Sequence, residues 1–269
     1  MKAKGVSISK FEDGVLNEDA VRANPNFIAV SDGAGGGGVF AERWSHYLVY
    51  NLPNVPITTF EELDSWIDGI WEQFYNECET WAQKQQDGLF LEKFYDEGSF
   101  ATLAALWSCD DEMRWMTYGD SVVFMYNQKN EKLSYTFPHL SDFAKPPFLI
   151  NCKDPLAPEG IATGSFPVDK DCIYFVASDT LSHYIIMMYM VAHRDDFKNE
   201  LEDVIDTHNK NSNLVKKALA SKQTNFKKVI TKLVNCANHP GNFKKHIESL
   251  IRQGLIAHDD YSLAVMFGK

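Results

Sequence analysis

This sequence of 269 residues lacks the marks of membrane, nucleic-acid-binding and secreted proteins. Its most apolar stretch, residues 185–192, is far shorter than the roughly 20 residues needed to span a bilayer. A net charge of −11 argues against nucleic-acid binding, which normally requires a basic face. No apolar segment follows the two lysines at the N-terminus, so we predict no secretory signal.

The cysteines are few and scattered, at positions 78, 109, 152, 172 and 236. An odd number without a C-x-x-C pair or a signal sequence indicates reduced thiols, and we therefore expect a cytoplasmic protein. There is also no C-x₅-R loop, which argues against a cysteine nucleophile in a phosphatase mechanism.

The hydrophobic pattern predicts both strands and helices, and the length fits one large domain or two small ones. Strands are predicted over 2–10, 26–31, 99–107, 113–118, 121–127, 132–137, 171–177 and 261–267. Helices are predicted over 40–51, 59–86 and 181–206. The runs between 99 and 137 suggest an antiparallel meander, and residues 138–168, with six of the ten prolines, suggest an irregular connection.

A basic helical segment covers residues 207–256. It carries ten basic residues and one acidic residue, so the rest of the chain has a net charge of −20. Such a charge run is usually a solvated helical face, but it can also supply a phosphate-binding cation or dock an acidic partner.

Acidic residues recur where apolar strands begin or end. If those ends meet at one edge of a sheet, the carboxylates repel one another unless cations neutralise them. Mg²⁺ and Mn²⁺ prefer oxygen ligands, and two such cations can activate water for attack on a phosphate. Taken singly, each acid is more simply a turn former or helix cap. The residues concerned are Glu18, Asp19, Asp32, Asp120, Asp179, Asp259 and Asp260.

The glycine cluster after Asp32 offers a competing interpretation. Gly33, Gly35 and Gly38 fit G-x-G-x-x-G between a strand and a helix, as in dinucleotide-binding folds. However, the acidic residue expected about 20 positions later falls at the start of a helix instead of the end of a strand. The simpler interpretation is that these glycines permit a tight turn.

Six short motifs in order resemble the metal-dependent protein phosphatases of the PP2C (PPM) family, in its bacterial form. They are NEDA (17–20), AVSDGAGG (29–36), GSFATLAAL (98–106), YGDS (118–121), ASDTLSHYI (177–185) and DDYSLAV (259–265). The resemblance implies a single domain over residues 1–269 with an α+β fold, a four-layer α-β-β-α sandwich of two antiparallel sheets flanked by helices. It also implies that the metals lie in a cleft at one end of the sandwich.

The resemblance also implies a role for each matched residue. Asp19 and Asp32 match the shared ligands of a centre with two Mn²⁺ or Mg²⁺ ions, and the carbonyl of Gly33 matches a further ligand. Asp179 and Asp259 match the ligands that complete the two metals. Glu18 matches an acid that acts through metal-bound water, and Asp120 one associated with a third metal.

Two neighbouring residues are implied to have supporting roles. Asp260 occupies the position of an asparagine in the family pattern and is expected to support the site. Thr102 is expected to be buried structural support.

The implied activity is hydrolysis of phosphoserine or phosphothreonine in a phosphorylated protein substrate by metal-activated water. We expect a monomer. Two alternatives remain: a phosphatase-like binding module with little or no turnover, and a phosphatase of a small phosphorylated molecule.

The sequence departs from the family pattern where the substrate phosphate is gripped. The arginine usually found shortly before the NEDA motif is absent; Lys10 is the nearest cation, and Arg22 lies out of register. Val122 replaces the arginine that usually follows GDS. His183 stands where bacterial members often have a third-metal aspartate, and three roles are open for it: ligand, proton donor or surface residue.

Overall fold

The computed structural model describes residues 1–12, 14–36, 38–221 and 225–268, and no helix among them is long and apolar enough to cross a membrane. The strands are β1 Lys2–Ile8, β2 Ala20–Ala23, β3 Phe27–Ser31, β4 Phe100–Ala101, β5 Leu103–Ser108, β6 Glu112–Tyr118, β7 Val122–Asn127, β8 Lys132–Tyr135, β9 Ile150–Asn151, β10 Ile161–Pro167, β11 Cys172–Ala177 and β12 Tyr261–Phe267. The helices are α1 Ala41–Asn51, α2 Phe60–Lys84, α3 Gly88–Glu97, α4 Asp179–Ala192, α5 Lys198–Asp206, α6 Lys210–Ala220, α7 Phe226–Cys236 and α8 Pro240–Gln253.

Two antiparallel sheets form the centre of the molecule. The first has the strand order β1-β12-β11-β7-β8, and the second has the order β10-β6-β5-β3-β2. A short pair, β4 with β9, lies beside them. The outermost pairing of the first sheet joins the two ends of the chain, since Lys2 on β1 is opposite Phe267 on β12.

The side chains of the strands point alternately to the two faces of each sheet, and this produces the predicted four layers. On β3, Ile28 and Val30 pack between the two sheets, whereas Phe27 and Ala29 pack against α1 and α2. The side chains of β12 alternate in the same way. Its odd-numbered residues face α4 to α8, and Ala264 and Met266 pack between the two sheets. Because side chains of a strand point alternately to opposite faces, one strand contributes to two hydrophobic layers. The expected α-β-β-α sandwich is confirmed.

The predicted meander and irregular connection need correction. The runs between 99 and 137 do not form one meander, because β5 and β6 belong to the second sheet and β7 and β8 to the first. Residues 161–167 form the edge strand β10, paired with β6. This strand is mostly exposed and ends in Pro167, so it lacks the apolar run that marks a buried strand. The short strand β2 and the helix α3 were also not predicted.

The antiparallel arrangement excludes the dinucleotide interpretation of the glycine cluster. Both neighbours of β3 run antiparallel to it, whereas the fingerprint requires a parallel βαβ unit. The glycines instead permit close approach. A Cβ at Gly33 would lie 2.6 Å from the carbonyl oxygen of Glu18 and 2.7 Å from that of Ala41.

We expect Gly33→Ala to destabilise the protein and Gly36→Ala to leave it unchanged. The first substitution forces apart two backbone segments, which costs about 1–3 kcal/mol. No described atom lies within 4 Å of a Cβ at Gly36, so its substitution is expected to change the unfolding free energy by less than about 0.5 kcal/mol. Urea unfolding of both variants measures the difference, and equal stabilities would contradict the packing described for Gly33.

Candidate metal centre

Strand pairing brings two of the predicted aspartates together at one end of the second sheet. Ala20 on β2 pairs with Ser31 on β3. Asp19 immediately precedes the first residue and Asp32 immediately follows the second, so the antiparallel register places the two acids side by side. Burial, and then the charge of the Asp19 carboxylate, raise the pKa of Asp32.

The corresponding end of the first sheet contributes two more acids. Asp179 follows β11 and begins α4, and Asp259 lies just before β12. The adjacent strands are tied together there, since the Ser178 N–H donates to the carbonyl of Ser262 at 3.2 Å. The Thr180 hydroxyl donates to Asp259 Oδ2 at 3.1 Å and so links the two acidic segments.

Asp120 occupies the crossing between the sheets. It lies between β6 of the second sheet and β7 of the first, and only 8% of it is exposed. Burial, and then the charge of Asp179, raise its pKa to about 7. The connection between β6 and β7 therefore places a fifth carboxyl group close to the other four, at the same end of the two sheets.

Burial and mutual repulsion shift the pKa values of this cluster upward. Burial is the main cause for Asp32, whose pKa is raised well above its usual range, and the charges of Asp19, Asp179, Asp120 and Asp259 add to it. Burial also raises the pKa of Asp19 strongly, and burial followed by the charge of Asp259 raises that of Asp179 to about 6. Positive charge placed among these carboxylates would offset their mutual repulsion and lower their pKa values.

The donor set fits a hard divalent cation. Asp19 is 1% exposed, and neither of its carboxylate oxygens has a hydrogen-bond partner among the described residues. Buried polar atoms without partners are uncommon, and oxygen-rich clusters suit Mg²⁺ and Mn²⁺. Within the described part of the chain, however, no three acidic, histidine or cysteine side chains already stand in position to hold a metal ion.

The contacts of Asp260 differ from those of its neighbour Asp259. Its side chain is buried, with 4% of the residue exposed, and its two oxygens accept backbone N–H groups from Lys10 at 2.6 Å and Glu18 at 2.7 Å. The residue therefore fastens the loop between β1 and β2 to the start of β12. These contacts show what Asp260 holds, and its expected support of a metal site stays a prediction.

Glu18 lies at the margin of the cluster. Its carboxylate is 3.6 Å from the ammonium of Lys10 and lies over Gly35, where a Cβ would collide with it. Its backbone carbonyl accepts the N–H of Gly33 at 3.1 Å and the hydroxyl of Ser45 at 2.5 Å. The glycine turn thus supports the segment carrying Glu18 and Asp19.

Thr102 is buried, as expected, and supports the turn after β3. Its hydroxyl accepts the N–H of Asp32 at 3.2 Å and lies 2.8 Å from the hydroxyl of Ser121. The Ser31 hydroxyl donates to the Thr102 carbonyl at 2.6 Å. These contacts connect the segments that carry Asp32 and Asp120.

His183 is not a surface residue. It lies one turn after Asp179 on α4, a helix whose residues are almost all buried, and it is 5% exposed. The interpretation as a surface position is therefore wrong, because the apolar run along α4 has no exposed face. Arg22 lies away from the cluster and donates to the carbonyls of Val49 and Tyr50 near the end of α1.

The basic segment consists mainly of solvated helical faces. Each of its lysines in α6, α7 and α8 is exposed, and so is its one arginine, Arg252. Lys222 lies outside the described residues. One member, Lys210 at the start of α6, lines a groove with Asp179, a proximity that the sequence alone did not predict.

Solved structures similar to this chain include serine/threonine phosphatases. The catalytic domain of the serine/threonine protein phosphatase PstP, in complex with two manganese ions, has a TM-score of 0.53 and 15% identity. The alignment covers 98% of this chain and 96% of that one. The fold is that of the serine/threonine phosphatases.

Two further structures extend this result. PppA, a key regulatory component of T6SS in Pseudomonas aeruginosa, has a TM-score of 0.53 and 17% identity, covering 100% of this chain and 97% of that one. Stp1, a serine/threonine phosphatase from Staphylococcus aureus, has a TM-score of 0.51 and 12% identity, covering 100% and 95%. No protein-family model and no curated protein matches the sequence.

The raised pKa values predict that the metal-free protein loses stability as pH rises. Carboxyl groups with folded-state pKa values of about 6 and 7, for Asp179 and Asp120, titrate near 3.9 when unfolded. Between about pH 4 and pH 7 the folded state binds more protons than the unfolded chain, so its stability falls across this range. We expect the unfolding free energy in EDTA to be lower at pH 8 than at pH 5, by on the order of 3 kcal/mol.

Matched variants isolate the contribution of the cluster in the same urea-unfolding experiment. Asp120→Asn is expected to reduce the pH dependence, because it removes one of the repelling charges. Asp110→Asn alters an exposed turn residue and is expected to retain the wild-type dependence. Identical pH profiles for the two variants would contradict the electrostatic description.

Proposed function

We propose that this protein is a metal-dependent phosphatase that hydrolyses phosphoserine and phosphothreonine in proteins. The observation that carries the proposal is the gathering of five aspartates from the ends of both sheets into one partly buried, mutually repelling cluster. The shared fold with bacterial serine/threonine phosphatases, one of them in complex with two manganese ions, supports the same function.

The carboxylates of Asp19 and Asp32 are the proposed shared ligands of two Mn²⁺ or Mg²⁺ ions, with the carbonyl of Gly33 as a further ligand. Asp179 and Asp259 would complete the two sites. Cations bound there would lower the pKa of a coordinated water and neutralise charge on the phosphoryl oxygens.

Other groups of the chain hold the proposed ligands in place. The Thr180 hydroxyl donates a hydrogen bond to Asp259 and so orients it. The Thr102 hydroxyl accepts the N–H of Asp32 and so fixes the turn after β3. Asp260 fastens the backbone of Glu18, so that Asp19 is presented from a restrained segment. Glu18 would act through metal-bound water, and Asp120 would bind a third cation.

Two alternatives share this site. A binding module with little or no turnover is favoured by the missing arginines and by the pairing of Lys10 with Glu18, which leaves that cation partly neutralised. A phosphatase of a small molecule would differ only at the rim of the cleft. Metal-dependent turnover contradicts the first alternative, and the ratio of rates on a phosphothreonine peptide and on p-nitrophenyl phosphate tests the second.

The remaining predictions concern the partner, the oligomeric state and the cellular compartment of the protein. We propose that its partner is a phosphorylated protein and that it acts as a monomer. We also propose the reducing, cytoplasmic compartment expected from the number and spacing of the cysteines.

We expect Asp32→Asn and Asp179→Asn to lower the Mn²⁺- or Mg²⁺-dependent rate by more than about a hundredfold. Loss of a direct ligand should cost at least as much as loss of residues that merely orient ligands. The measurement is hydrolysis of a phosphothreonine peptide with added metal and with EDTA.

The stability of the same variants provides the control. Because each substitution removes a repelling charge, both are expected to unfold at higher urea concentration than the wild type in EDTA at pH 8. Asp110→Asn should match the wild type in both assays. Wild-type rates from either aspartate variant, or metal-independent turnover, would refute the proposed site.

A further inference from the structure

The helices α6, α7 and α8 present a basic surface that none of the roles described above uses. Each helix is amphipathic. In α7, for example, Val229, Ile230 and Leu233 are buried in the core, whereas Lys228 and Lys232 are exposed. The same division is found in α6 and α8. The positive charge of all three helices therefore faces outward.

The three helices form one continuous layer. Lys217 of α6 lies beside the end of α8, since a Cβ at Gly254 would be 3.7 Å from its Cγ, and Arg252 lies two residues before that glycine. Lys232 of α7 lies near α8, because burial, and then the charge of Lys232, lower the pKa of His246 to about 4. The charges of the three helices thus form a single patch, which we call the basic face: Lys217, Lys228, Lys232, Lys245 and Arg252.

The basic face is not neutralised by acids of the same chain. None of its five residues forms a salt bridge with a carboxylate of the described residues. Lysines elsewhere do find such partners: Lys93 and Lys145 each pair with an acid within one helical turn, and Lys227 pairs with Glu131 at 3.8 Å. The positive potential of the basic face is therefore left for a partner of opposite charge.

The basic face adjoins the end of the molecule where the aspartates lie. The helix α6 begins at Lys210, which lines a groove with Asp179. The loop after α8 leads directly to Asp259, and the ammonium of Lys244 lies 5.4 Å from the centre of the Phe11 ring in the loop after β1. A polypeptide with one residue at the aspartate cluster can therefore continue over these helices.

The chemistry of the basic face favours an acidic polypeptide over other polyanions. Four of its five charges are lysine ammonium groups, which act as point charges and lack the bidentate fork with which arginine grips phosphate. None of the exposed large hydrophobic side chains among the described residues lies on α6, α7 or α8. These helices therefore offer no apolar group to insert into a bilayer and no aromatic ring to stack on a base.

We propose that the basic face docks an acidic segment of the phosphorylated protein substrate, beside the phosphorylated residue. This inference rests on the proposed phosphatase function and adds a substrate class to it: phosphoproteins with a run of glutamate or aspartate next to the phosphorylated residue. The contacts are exposed charge pairs, so docking weakens as added salt screens them.

The binding test uses an unphosphorylated, rhodamine-labelled peptide with a run of glutamates, followed by fluorescence anisotropy without added metal. We expect the wild type to bind this peptide and to bind it more weakly in higher salt. A triple variant, Lys217→Gln with Lys228→Gln and Lys232→Gln, is expected to bind on the order of tenfold more weakly, because each exposed ion pair contributes modestly.

The matched control removes the same charge elsewhere. Lys84→Gln, Lys93→Gln and Lys170→Gln together change three exposed lysines outside α6, α7 and α8 and are expected to alter the affinity less than about twofold. Equal affinities for the two triple variants, or equal binding of a peptide with glutamines in place of the glutamates, would overturn the docking face. Tighter binding of anionic lipid vesicles or duplex DNA through the same lysines would also overturn it.

Hydrolysis tests whether the docked segment belongs to the substrate. On a phosphothreonine peptide followed by glutamates, with added Mn²⁺, the first triple variant is expected to raise KM about tenfold and to leave kcat unchanged. Its rate on the same peptide with glutamines should match that of the wild type. An unchanged KM on the glutamate peptide would overturn the assignment to substrate.

Failure of the proposed function gives a different result. A protein that binds the unphosphorylated glutamate peptide through Lys217, Lys228 and Lys232, but hydrolyses no phosphopeptide with any metal, would contradict the phosphatase proposal. The same result would support the docking of acidic segments on the basic face.

Discussion

Repulsion among closely placed, partly buried carboxylates is the main constraint on this structure. The five aspartates come from both sheets, and each addition raises the cost of ionising the others. Neighbouring groups hold them in place without adding positive charge: Asp260 accepts two backbone N–H groups, and Thr180 and Thr102 contribute hydroxyl groups. The positive charge that would offset the repulsion is left to bound cations, as in the proposed function.

The apolar layer between the sheets makes this arrangement possible. Small and medium side chains, such as Val30, Ala104 and Val176, fill it and hold the two sheets in fixed relation. The burial of these residues stabilises the fold, whereas the acidic end opposes it. Proteins commonly accept such local costs at functional sites because the rest of the structure compensates for them.

Much of the fold and the cluster could be predicted from the sequence because the signals are local. A buried strand such as 171–177 has a continuous apolar run, and Asp179 follows it directly. The predictions that were wrong concern which strands pair with one another, and this depends on residues far apart in the sequence. The runs around Tyr118 and Val122 look like successive strands of one sheet, and nothing in either run indicates that the chain changes sheets at Asp120. The burial of His183 likewise depends on helices that pack over α4, and the position of Lys210 depends on where α6 begins.

The contacts of Asp260 have a consequence for how the protein is made. The residue is 242 positions from Glu18 and 250 from Lys10, and β12 beside it pairs with β1. During synthesis, the segment carrying Asp19 cannot be fastened by these hydrogen bonds until Asp260 has been added. Contacts of such long sequence separation form late, because the entropy of closing the loop must be overcome first. A partly synthesised chain therefore cannot assemble the complete carboxylate cluster.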